Sequence, residues 1–76
     1  MISTHHIANV RFENNFLFIE VDQHLHSFDL QKISIRLLHA SETERNLFHI
    51  SPSGYGIHWP LIDEDLSINA LLSNSF

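Results

Sequence analysis

The chain has no cysteine among its 76 residues, which excludes a disulfide framework, a thiol nucleophile and any zinc site built from thiolates. Glycine and proline are scarce. The two of each all fall between Pro52 and Pro60, so sharp turns and stops gather in the C-terminal third. Basic residues are few: four Lys and Arg stand against nine Asp and Glu, a net charge of −5. Contact along a phosphate backbone needs basic patches, so direct nucleic-acid binding is not expected. No apolar run approaches the ~18 residues of a membrane span, and no signal-peptide core follows the N-terminus. The expectation is a soluble, cytoplasmic protein. What the chain does have is an ordinary share of hydrophobic residues, 43%. That suits one small domain across residues 1–76, with residues 1–5 fraying.

The first third alternates as β-structure does. Ala8, Val10 and Phe12 interleave with polar residues, and Asn14-Asn15 supplies turn chemistry. Phe16–Val21 is rich in aromatic and β-branched side chains and apolar on both faces. Asp22-Gln23 reads as a two-residue hairpin turn into a third strand, His24–Asp29. Leu30, Ile33, Leu37 and Ala40 then fall on one stripe of a helical period, predicting a single helix. Ser41 and Glu44 fit the capping box of a short helical turn over Glu42–Asn46. Leu47–Ser51 and Tyr55–Trp59 read as strands joined across Gly54, with Pro60 ending the second. Asp63, Glu64 and Asp65 sit where acids favour the start of a helix over Leu66–Leu72. The expected fold is α+β, order βββα-ββα: an antiparallel sheet of about five strands with two short helices on one face.

The run Gly56-Ile57-His58-Trp59-Pro60, continuing through Asp63-Glu64-Asp65-Leu66-Ser67 to Leu71-Leu72, resembles the closing signature of a family of small prokaryotic proteins, domain of unknown function 2442. Arg36-Leu37-Leu38-His39-Ala40-Ser41, with Glu42, Glu44 and Arg45, is similar to that family's preceding block. Ile35 and Thr43 stand where the family pattern has prolines, a departure that touches helix starts rather than chemistry. The resemblance covers roughly residues 8–72. It implies the same compact α+β fold and no established activity. It also implies a small protein partner encoded nearby, as in a toxin–antitoxin pair.

Seven histidines invite a metal reading. His24 and His26 share a strand face, but further ligands would have to come from His39, His49 or His58, which show no ligand spacing. No metal or cofactor is therefore expected. Catalysis is not expected either: no nucleophile elbow, phosphate loop or dinucleotide fingerprint appears. The best candidate surface is His58 and Trp59 beside Asp63, Glu64 and Asp65, with Arg36 and Arg45 as further partner-binding candidates. An indole favours binding hot spots, and an acidic cluster suits a basic partner. The competing reading makes Trp59 core and the acids a helix start. A further alternative is self-association, because a strand apolar on both faces needs two covers.

The histidines also carry a charge argument. Protonating all seven adds seven positive charges and moves the net charge from −5 to +2, across the ordinary imidazole range near pH ~6.5. Light scattering between pH 7.5 and 5 should show a solubility minimum near the isoelectric point of 5.7; a flat profile would dismiss it.

Overall fold

The computed structural model describes residues 4–73. Three strands open the chain: β1 (Ile7–Glu13), β2 (Phe16–Val21) and β3 (His24–Asp29). They form an antiparallel meander in the order β1-β2-β3. Asn14, at φ 53°, turns the first hairpin; Asp22 and Gln23, at φ 51° and 72°, turn the second. Both residues of that turn therefore lie in the left-handed region that a twist-matched two-residue turn requires, although Gln is an unfavourable choice there. The pairing of β1 with β2 slips between Ala8 and Arg11, where Asn9 sits at φ 51° and bulges the strand. Leu17, Ile19 and Val21 of β2 are buried.

The predicted long helix is two short ones, α1 (Leu30–Ile33) and α2 (Ile35–Leu38). The break is Ser34, extended at φ −162° and ψ 104°. This one residue closes α1 through its amide, bonded to the Leu30 carbonyl at 2.9 Å. It opens α2 through its hydroxyl, which accepts from the Leu37 amide at 3.1 Å. The same hydroxyl donates to Glu64 Oε2 at 2.6 Å. A serine that finds partners outside the helix has reason to leave it. Next comes α3 (Glu42–Asn46), with both halves of the Ser41–Glu44 capping box formed.

The second half is a separate meander rather than more of the first sheet: β4 (His49–Ile50), β5 (Gly56–Trp59) and β6 (Glu64–Ser67), in that order. The five-stranded sheet is thus replaced by two three-stranded sheets, and the helix expected from Leu66 starts two residues later as α4 (Ile68–Ser73). The acids are the cause of the misreading. Pro60 ends β5, Asp63 turns at φ 52°, and the chain comes back with Glu64 opposite Trp59 and Asp65 opposite His58. In β6 only Leu66 is buried, too little alternation to mark a strand against the helical spacing that follows.

Both sheets and three of the helices share one core. Leu17, Ile19 and Val21 from the first sheet meet Ile57, Trp59 and Leu66 from the second, together with Leu30, Leu37, Ile68 and Leu71. Among the described residues no helix is long and apolar enough to cross a membrane.

The turn before β5 needs its glycine twice over. Gly54 lies at φ +72°, and a Cβ there would sit 1.8 Å from the His5 carbonyl oxygen. Gly54→Ala is expected to cost more than ~1 kcal/mol, and Ser34→Ala about 1–3 kcal/mol through its two lost side-chain bonds. Urea unfolding of each variant checks both values; parental midpoints would contradict them.

Candidate functional site

Trp59 points inward from β5 and is fully buried. Its indole Nε1 donates to the Arg45 carbonyl at 2.9 Å. Its ring centroid lies 6.2 Å from Phe12, edge-on, and 6.1 Å from Phe48. A side chain held this way offers no contact area to a partner, so the core reading of Trp59 is the one the structure supports.

Arg45 is likewise turned toward the protein. Its Nε donates to the Leu37 carbonyl at 2.9 Å, Nη2 to Leu38 at 3.0 Å and Nη1 to Asn14 at 2.8 Å. The guanidinium also lies 5.3 Å from the centre of the Phe12 ring. A one-turn helix leaves its last carbonyls without partners inside the helix, and a planar five-donor group can serve several at once. Arg36 ties α2 to the second sheet by donating to the Asp63 carbonyl at 2.6 Å. Glu64 takes the Ser34 hydroxyl on Oε2 and the Asp65 amide, at 3.0 Å, on Oε1.

His58 and Asp65 are the members of the predicted cluster that come together on the outside. They face each other across β5 and β6, with His58 Nδ1 and Asp65 Oδ1 2.8 Å apart. Their side chains are 41% and 74% exposed. On the other side of β5, His49 pairs with His58, so His49, His58 and Asp65 make one row across three strands. His58 engages Asp65 through Nδ1, which leaves Nε2 as the nitrogen for a ligand.

This row lies along a groove of about 510 Å³, bordered also by Ile50, Pro52 and Tyr55. Ile50 and Tyr55 are exposed. The rim is held by Ser51, whose hydroxyl oxygen accepts from the Tyr55 amide at 3.0 Å and the Gly56 amide at 3.1 Å. The groove therefore combines apolar area with an oriented imidazole and a carboxylate. Among the described residues no group of three or more His, Asp or Glu is placed to hold a metal ion.

Three contact residues escape sequence reasoning. Of the segment expected to fray, residues 1–3 lie outside the described residues, while His5 is pinned between elements far along the chain. Its Nδ1 lies 2.8 Å from Asp22 Oδ2 and its Nε2 2.8 Å from Asn69 Oδ1. The hydrogen bonds raise the His5 pKa above its ordinary 6.5, that to Asp22 first and that to Asn69 second. The bond from His5 is also the main cause lowering Asp22 below its ordinary 3.8. With His5 and Asn69 64 positions apart in the chain, no local pattern could have joined them.

A family model described as "Protein of unknown function (DUF2442)" matches residues 7–76. No curated protein matches. A crystal structure of a protein of unknown function from Rhodospirillum rubrum ATCC 11170 superposes with a TM-score of 0.71 at 24% identity, covering 91% of this chain and 86% of that one. That likeness is one of fold.

The internal role of Arg45 separates it from the exposed pair. Arg45→Ala is expected to lose roughly 2–3 kcal/mol of stability, since several carbonyls lose a charged donor. Asp65→Asn should lose under ~1 kcal/mol, as exposed pairs do. Chemical denaturation of the two variants measures the contrast; equal losses would deny Arg45 its bracing role.

Proposed function

The chain belongs to the family described as "Protein of unknown function (DUF2442)", and from that premise we propose that it is a small, non-catalytic protein-binding module. In this reading it is the regulatory, antitoxin-like half of a two-protein cytoplasmic system. The observation that carries the proposal is the groove on the outer side of the second sheet, with Ile50 and Tyr55 exposed at its border and His58 oriented by Asp65 inside it. Tyr combines a large apolar face with a polar tip, which suits a contact that must also stand free in water. The net charge of −5 favours a basic partner and speeds its approach. The exposure of His58 and Asp65 is unlike the water-excluded setting in which acid–base groups work best.

Self-association is a second reading, supported by the first sheet. Phe16 is 44% and Leu25 60% exposed, and β3 is an edge strand, whose outer main-chain groups can pair with another strand.

Co-purification with the product of the neighbouring gene tests the main reading. The paired substitution Ile50→Ala and Tyr55→Ala is expected to weaken that complex by about 2 kcal/mol, some 30-fold, with little change in melting temperature. Parental affinity in the double variant would exclude the groove as the contact. Sedimentation as a dimer at micromolar concentration, abolished by Leu25→Lys, would favour the second reading instead.

A further inference from the structure

Residues 5 and 6 touch the turns of both sheets. The His5 amide donates to the Ser53 carbonyl at 3.1 Å, in the turn that borders the groove. The His5 carbonyl occupies the space that a side chain at Gly54 would need. The His6 amide donates to Asp22 Oδ1 at 2.8 Å, and the Asp22 amide returns a bond to the His6 carbonyl at 2.9 Å. Between these main-chain ties the His5 ring spans from Asp22 in the β2–β3 turn to Asn69 in α4, with oxygens 2.8 Å from both of its nitrogens. A neutral imidazole donates from one nitrogen only; the imidazolium donates from both. The arrangement is therefore matched to the charged ring.

We infer that His5 is a proton-operated latch: with both ring nitrogens protonated it clasps the β2–β3 turn and α4 together and holds the N-terminal segment against the rim of the groove, and loss of one proton loosens that clasp.

The groups facing the ring fix the sign. The β2–β3 turn presents the carboxylate of Asp22, which hydrogen-bonds and attracts the charged ring. The last helix presents the neutral Asn69, and the rim turn the neutral Ser53 carbonyl and Gly54. His6, on the same segment, adds its own attraction to Asp22. Because the His5 pKa is raised from 6.5, its contribution is complete below that value and fades as pH rises through the higher folded one. Because the Asp22 pKa is lowered from 3.8, its contribution fades only as pH falls below that range. The clasp is strongest in mildly acidic solution and slackens on the alkaline side of neutrality. The latch stands on these contacts alone; its effect on a bound partner rests on the binding reading of the groove.

NMR of the full-length chain tests it without any partner. Two-bond nitrogen–proton spectra should give His5 a midpoint above 6.5, and the Gly54 and Tyr55 amide shifts should titrate with the same midpoint. Hydrogen exchange at those two amides, corrected for the intrinsic pH dependence, should lose about tenfold in protection between pH 6 and 8, a tenfold change being ~1.4 kcal/mol. Asn69→Asp should move the midpoint up, and Asp22→Asn should bring it back toward 6.5. Gly54 and Tyr55 shifts indifferent to His5 titration, or a midpoint unmoved in both variants, would overturn the latch. A working latch with no partner captured would leave it standing and count against the groove reading alone.

Discussion

A helix of four residues completes almost none of its own hydrogen bonds, and α1 and α2 are both that short. Their main-chain groups must be satisfied from elsewhere, and two side chains do much of it. Ser34 serves the junction between the helices and reaches Glu64 of the second sheet. Arg45 closes the end of α2, reaches back to the β1–β2 turn at Asn14, and presents its own carbonyl to the Trp59 indole. The two sheets are thus connected through the ends of short helices. A buried residue on each side, Leu37 and Trp59, is positioned by the same guanidinium-bearing residue.

The local parts of this fold were legible. Aromatic and β-branched content marked β2, the Asp22-Gln23 turn placed β3, Asn14 marked the first turn, and the Ser41–Glu44 pair marked α3. What escaped reading depends on distant neighbours. Ser34 is an ordinary residue within an expected helix until Glu64, 30 positions away, accepts its hydroxyl. The three acids resemble a helix start until Asp63 turns the chain and Asp65 lands opposite His58. That hairpin adds a third strand to the second sheet, since β6 pairs back on β5.

The candidate site shows the same division. His58 and Asp65 were chosen for proximity in sequence, and the β5–β6 register makes them neighbours in space. Trp59, Arg36, Arg45 and Glu64, also candidates for partner contact, make hydrogen bonds within the protein. In a domain this small, aromatic and guanidinium groups are in demand for the interior because so little apolar surface is available to hold it. His49 joins the exposed row through the expected hairpin across Gly54, whose register sets it opposite His58.

Each sheet is a meander whose strands pair only with sequence neighbours. Loops of this kind close at little entropic cost. The ties between halves span much longer stretches of chain, from Asn14 to Arg45, Ser34 to Glu64 and His5 to Asn69. The seam between the two meanders is therefore where the chain closes its longest loops, and a side chain lost there removes a link that no neighbouring residue can replace.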